Sequence, residues 1–238
     1  AFHEFRASVA AAWGAFYLGE PDGPFSSESP DDGLFVPYFL FSWTGKWKDG
    51  RPAAGIVART FLRERSTQLT EMERLIVECS LKEPLSFYEV LSCRPGEGFV
   101  LRDVLTRLEM NVKERSASQS LRTGDMLYGQ LSPMEGITTM AFCGPIIIPP
   151  AMKSYIVELR SDLQEIAGKK KKDDLAPADL IRFEEDIRAA YLELCECLTT
   201  PPRLSNTDGD ELLHHTITYA IGSAQVAFDA LASLCHVS

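Results

Sequence analysis

The sequence predicts an α+β fold in which a small five-stranded antiparallel, barrel-like sheet is flanked by helical regions. Apolar residues recur at helical spacing on both sides of the chain's centre, and five short apolar runs lie between Pro84 and Pro150. Turns rich in glycine and proline separate those runs. The predicted organisation is a mainly helical N-terminal region at 1–83, a small β-barrel-like domain at 84–150, and C-terminal helices with one strand at 151–238.

The N-terminal region contains three helical patterns and one ambiguous segment. Residues 2–18 place apolar side chains three and four positions apart, which predicts one amphipathic helix. The aromatic run from Leu34 to Trp43 predicts a buried strand or a short helix, because periodicity cannot separate the two in so short a segment. A helix from about Pro52 to Arg65 follows, and a capping box of Thr70 and Glu73 predicts the start of another.

The central segment changes to runs of strand length. These are FYEVLSC at 87–93, GFVLRDVL at 98–105, EMNVKE at 109–114, MLYGQLS at 126–132 and ITTMAFC at 137–143. Five short strands so close together predict a small barrel or strongly twisted sheet of the SH3-like or OB-like kind. Closure into a barrel hides the edges of so small a sheet.

The C-terminal region returns to helical spacing. The pattern predicts a helix at Met152 to Ile166 and a charged linker at Gly168 to Asp174. One long amphipathic helix is then predicted to begin at Pro177, to carry its apolar residues from Leu180 to Leu198 and to end before Pro201. A strand from Leu212 to Ile221 and a helix from Ser223 to Leu234 are predicted to follow.

Composition narrows the classes of partner. Lys and Arg number 24 against 34 Asp and Glu, and the resulting net charge of −10 disfavours nucleic acid. No apolar run approaches the roughly 20 residues of a membrane helix, so we expect no membrane partner. Six cysteines are spread through apolar runs of a sizeable chain, which predicts reduced, buried thiols and a cytoplasmic location.

Known chemical motifs are missing from the sequence. It contains no phosphate-binding loop, no G-x-S-x-G elbow and no H-E-x-x-H. We therefore expect no cofactor, assign no catalytic or metal-binding residue, and leave enzymatic activity open. Cys195 and Cys197 do not have the usual zinc spacing, because side chains two positions apart on a helix point about 200° apart. The adjacent His214 and His215 would face opposite sides of a strand.

The first candidate interaction surface lies in a loop of the predicted barrel. It comprises Glu114, Arg115, Ser118 and Arg122. Loops between strands are the usual binding surface of a small barrel. The alternative interpretation is an exposed loop closed by an internal contact between arginine and glutamate.

The second candidate interaction surface is formed by Asn206, Asp208 and Asp210. Their alternation resembles the first half of a calcium loop, but Ile217 stands where a bidentate glutamate would be needed. The alternative is a tight turn around Gly209, in which Asn and Asp side chains bond their own backbone.

Several strings of the chain share their order with a known group of proteins. They are PLSFYEVLSCRPGEGFVLRDVLT, VKERSASQSLRTGDMLYGQLSPMEG, CGPIIIPP and PRLSNTDGDELLHHTITY. This order resembles bacterial proteins without an assigned enzymatic role, many of which carry a SEC-C zinc motif, and it covers roughly residues 70–235. The resemblance implies a cytoplasmic bacterial protein. The Cys-Pro-Cys-Gly core of SEC-C is missing, so the resemblance implies no zinc site here.

These observations favour a non-catalytic protein-interaction or regulatory module with a protein partner. One alternative is a hydrolase or cation-dependent enzyme with a carboxylate-centred site near Asn206 to Asp210. Another is binding of single-stranded nucleic acid by the barrel, which would need exposed aromatic side chains beside Arg102, Arg115 or Arg122.

Overall fold

The chain divides into two units, residues 1–199 and 200–238, in the computed structural model. The structure describes residues 6–19, 21, 23–45, 55–200, 204–205, 211–212, 222–226 and 228. None of the described helices is long and apolar enough to cross a membrane.

Four α-helices precede the sheet among the described residues of the first unit. They are α1 at Arg6–Phe16, α2 at Asp32–Pro37 with a π-helical turn at Tyr38–Ser42, α3 at Val57–Arg65 and α4 at Glu71–Ser80. The ambiguous aromatic run is therefore helical, and its large side chains are mostly buried in the core. The predicted capping box is confirmed, because the Glu73 N–H donates to Thr70 Oγ1 (3.3 Å) and the Thr70 N–H donates to Glu73 Oε2 (2.8 Å).

The predicted small barrel is confirmed. Its strands are β1 at Leu85–Arg94, β2 at Gly98–Asp103, β3 at Glu109–Lys113, β4 at Met126–Met134 and β5 at Ile137–Cys143. They close in the order β1-β2-β3-β5-β4. The sheet is mixed rather than wholly antiparallel, because β5 folds back from β4 and pairs in parallel with β3 at Val112–Thr138 and Lys113–Thr139. This order is that of an OB-like barrel.

The barrel has one covered side and one uncovered side. Its interior is filled by a cluster of Tyr88, Val90, Phe99, Leu101, Val112, Leu121, Leu127 and Leu131. On the outside, four residues of β1 and β4 belong to the larger core shared with the helices: Leu85, Phe87, Met126 and Tyr128. Among the described residues, the outward side chains of β2 and β3 belong to neither core cluster and are exposed or half-buried. Gly98, which is also on this side, has no side chain.

In the first unit the barrel is followed by α5 at Lys153–Ile166, α6 at Pro177–Arg182 and α7 at Glu184–Thr199. The prediction of one long helix beginning at Pro177 and ending before Pro201 is wrong, because the chain turns at Phe183 (φ −99°, ψ 21°) and buries that ring in the core. Three acidic residues then open α7, where they favour a helix start.

The charged linker is a loop tied to its neighbours. The buried Gln164 amide donates to the carbonyls of Lys171 (3.4 Å) and Asp173 (2.5 Å). Lys169 also pairs with Asp179 at 2.6 Å. These contacts explain how a run of four lysines holds a defined path.

The second unit is described only in short pieces. β6 at Leu204–Ser205 pairs antiparallel with β7 at Glu211–Leu212, and residues 224–226 and 228 are helical. Of the predicted strand from Leu212 to Ile221, the structure describes Leu212 alone. Of the predicted helix from Ser223 to Leu234, it describes residues 223–226 and 228.

Candidate interaction face of the barrel

The outward side chains of β1, β2 and β3 form three rows across the uncovered side of the barrel. Residues paired directly across neighbouring strands point to the same side of the sheet. The rows are Arg94–Gly98–Lys113, Ser92–Val100–Asn111 and Glu89–Arg102–Glu109, and we call these nine residues the open face. Inward residues alternate with them, as in the row Cys93–Phe99–Val112.

A β-bulge in β1 decides which of its residues belong to the open face. Val90 pairs with Leu101 and Ser92 with Val100, so Leu91 is an extra residue in this strand. Without the bulge, Ser92 would follow Val90 into the barrel. The extra residue instead turns Ser92 and Arg94 outward, which is a common effect of a bulge near a binding site.

A groove of about 190 Å³ runs over two of the rows. Its outward lining comprises Ser92, Arg94, Glu97, Gly98, Val100, Asn111 and Lys113. Gly98 has φ +145°, and a Cβ atom there would lie 2.1 Å from the Val112 carbonyl oxygen. Only glycine therefore allows β2 and β3 to approach so closely, and its missing side chain leaves a gap between Arg94 and Lys113.

Charges at one edge of the open face are balanced. Arg102 Nη2 lies 2.7 Å from Glu109 Oε1, and its Nη1 lies 3.9 Å from Glu89 Oε2. Lys153 of α5 approaches Glu89 Oε1 to 2.5 Å. Two acidic and two basic side chains thus neutralise one another here.

The opposite edge of the open face is basic. Arg94 forms a long ion pair with Glu97 at 3.8 Å, and both side chains are largely exposed. Lys113 is exposed and makes no ion pair with the residues that the structure describes. Exposed pairs of this kind contribute little to stability, so Arg94 remains available to other anions.

The predicted loop surface continues from this basic edge. Glu114 Oε1 accepts the N–H groups of Ser116 (2.9 Å) and Ala117 (3.3 Å), so the carboxylate holds the backbone instead of contacting Arg115. Arg115 and Arg122 are exposed, and neither forms an ion pair within the described part of the chain.

Ser118 lies beneath this loop. It is buried, its hydroxyl donates to the Arg115 carbonyl (2.9 Å) and accepts the Gly96 N–H (2.9 Å), and its carbonyl accepts the Cys93 thiol (3.1 Å). Its side chain therefore supports the loop from below and does not form the candidate surface. Its contacts hold the loop against the β1–β2 turn, next to the basic edge.

The remaining candidate residues do not belong to the described part of this face. Asn206, Asp208 and Asp210 lie outside the described residues, as do all four histidines. Burial raises the pKa of the Cys195 thiol on α7, and Cys197 is exposed. Among the residues that the structure describes, no three His, Cys, Asp or Glu side chains are grouped to hold a metal ion.

The centre and the basic edge of this face were not predicted from the sequence. Val100, Asn111, Lys113 and Arg94 belong to it, although none was a candidate. The alternation of polar and apolar residues in EMNVK was the available signal, because it places Glu109, Asn111 and Lys113 on one side of a strand.

Comparison of the chain with family models, with curated proteins and with solved structures gives no match. Function therefore has to be inferred from the geometry and charges of the open face.

Proposed function

We propose that the chain is a non-catalytic protein-interaction module of a cytoplasmic protein and that it binds its partner through the open face. The observation that carries this proposal is that helices pack on one side of the barrel and leave the other side exposed. Helices cover the outside of β1 and β4, whereas the outward residues of β2 and β3 face solvent around a groove. A rigid sheet whose opposite side is anchored presents its side chains in fixed positions, as a binding surface requires.

The size of the groove supports a chain segment as the ligand. At about 190 Å³ it is smaller than the roughly 300–1,000 Å³ of small-molecule sites. Val100 lies half-buried at its centre, between the exposed Ser92 and Asn111. An apolar centre with a polar rim is the usual anatomy of a protein interface.

Binding of single-stranded nucleic acid is the second candidate, because the strand order is that of an OB-like barrel. Base stacking on aromatic side chains supplies much of such binding. The open face contains no aromatic residue, and Arg102 lies between two glutamates. A protein partner therefore fits this face better.

The remaining expectations stay predictions. The resemblance to bacterial proteins with SEC-C motifs agrees with a module that contacts other proteins. The enzymatic alternative depends on Asn206 to Asp210, which lie outside the described residues.

A photo-crosslinking amino acid at Asn111 tests the proposal in the full chain. We expect crosslinking in native lysate to give one stoichiometric protein adduct that survives nuclease. The matched control places the same group at Glu196, which is exposed on α7, and should give no such adduct. Equal adducts from both positions, or loss of the adduct after nuclease treatment, would count against the proposal.

A further inference from the structure

The basic edge of the open face suggests the chemistry of the partner. Building on the proposed function, we propose that Arg94, Lys113 and Arg115 bind carboxylate side chains of an extended acidic segment in the partner protein.

The spacing of the basic side chains suits such a segment. Arg94 and Lys113 flank Gly98 on the two neighbouring strands, so their backbones are two strand spacings apart, about 10 Å. About three residues of extended chain cover the same distance. The gap above Gly98 leaves room for that chain, and a carboxylate near each end can reach Arg94 and Lys113. Arg115 follows Lys113 by two residues and extends the basic edge.

The acidic groups nearby are already engaged. Glu114 accepts two backbone N–H groups, and Asp125 accepts the backbone N–H of Arg122 at 2.8 Å. Within the described part of the chain, only Glu97 forms an ion pair with a basic side chain of this edge, at 3.8 Å. The four basic side chains here, Arg94, Lys113, Arg115 and Arg122, outnumber the three carboxylates of Glu97, Glu114 and Asp125, so this edge has a net positive charge.

The rest of the chain directs an acidic partner to this edge. With a net charge of −10, the protein repels acidic segments over most of its surface. Charge complementarity of this local kind fixes the orientation of a partner and suppresses other modes of binding. Ser92 and Asn111, in the next row, add hydrogen-bonding groups for a peptide backbone.

An acidic peptide explains this surface better than an oligonucleotide does. A polyphosphate chain would need a basic track of several residues, whereas the third row carries Glu89 and Glu109. A peptide that ends its acidic run over the basic edge avoids those glutamates.

Fluorescence anisotropy of labelled deca-glutamate, deca-glutamine and deca-thymidylate with the full chain tests the inference. We expect deca-glutamate to bind most tightly of the three, and its binding to weaken as salt is added. The variant R94A/K113A should bind it about tenfold more weakly, since it removes two charge contacts. The charge-preserving variant R94K/K113R should retain binding. The control K170A/K172A removes two exposed lysines of the charged linker and should bind as the parent protein does.

Three results would overturn the inference. The first is equal binding of deca-glutamate to the parent protein and to R94A/K113A. The second is binding of deca-glutamine as tight as that of deca-glutamate. The third is binding of deca-thymidylate that is tighter than that of deca-glutamate and is also weakened in R94A/K113A. If deca-glutamate does not bind while the group at Asn111 still crosslinks to a protein, this inference is wrong and the proposed function stands. If the Asn111 crosslink also fails, both are wrong.

Discussion

The guanidinium of Arg188 in α7 donates a hydrogen bond of 2.9 Å to the main-chain carbonyl of Ala15 in α1. It also bonds the Phe16 carbonyl, pairs with Glu184 at 2.8 Å, and lies 4.5 Å from the centre of the Tyr38 ring. Only 2% of Arg188 is exposed. One buried charge thus satisfies carbonyls at the C-terminal end of α1 and holds that helix, the aromatic run and α7 together.

Replacing Arg188 with alanine should destabilise the first unit strongly. The change leaves Glu184 and two carbonyls without their partner, and breaking a buried ion pair costs roughly 3–5 kcal/mol. Urea unfolding measures the loss. The control R63A removes an exposed pair with Glu64 and should cost about 0.5 kcal/mol or less. A loss for R188A no larger than that of R63A would show that the contacts of Arg188 are not structural.

Replacing Gly98 with alanine should destabilise the barrel by roughly 2 kcal/mol or more, since both its backbone conformation and the nearby Val112 carbonyl exclude a Cβ atom. Gly136 offers a matched control, because it also has a positive φ (+80°) but open space around its Cβ position. G136A should cost only about 1 kcal/mol. Thermal unfolding of the two variants separates the steric clash from the backbone strain, and equal losses would argue against the clash.

Replacing Gln130 with leucine should loosen the contact between α4 and the barrel. The buried amide of Gln130 donates to the carbonyl of Ser80, the last residue of α4, at 3.0 Å and to the carbonyl of Glu83 in the turn that follows. Burying these carbonyls without a donor costs roughly 1–3 kcal/mol each. T70A, at the other end of α4, should cost only about 1 kcal/mol. Denaturant unfolding that ranks T70A as the more damaging variant would contradict this role.

Asp103 should make the stability of the protein depend on pH. Burial raises the pKa of this carboxyl above its ordinary value of about 4, although its Oδ1 accepts hydrogen bonds from Ser86, Leu105 and Thr106. The folded state therefore binds the Asp103 proton more tightly than the unfolded state does. Its contribution is favourable at low pH and is lost as the pH rises from about 4 through the raised pKa.

The variant D103N isolates this effect, because asparagine keeps an oxygen acceptor without a charge. The free energy of unfolding of the parent protein minus that of D103N should fall as the pH rises from about 3 to about 7. Urea unfolding at several pH values measures this difference. A difference that rises with pH would show that the three hydrogen bonds outweigh burial.

Local signals in the sequence were sufficient to predict the strands. The change of apolar period after Pro84 and the turns at Gly96, Gly124 and Gly136 located all five, and each of these glycines has a positive φ. The capping box located the start of α4 in the same way. Such features depend on neighbours in the chain, so sequence patterns report them.

Features that depend on distant contacts could not be predicted. The parallel pairing of β3 with β5 and the extra residue at Leu91 are set by the register of neighbouring strands. The break at Phe183 has no glycine or proline to mark it, and it forms because the ring packs into the core. For the same reason the sequence led only to the loop next to the open face, through Glu114, Arg115 and Arg122.

The extra residue at Leu91 has an evolutionary consequence. Deleting its codon would remove the bulge but leave Ser92 and Arg94 outward and Cys93 inward, because regular alternation after Val90 then places the same residues on the same faces. A lineage could thus gain or lose this bulge by one codon without changing the composition of the binding surface. Descendants that differ only by a gap at this position should therefore share a partner.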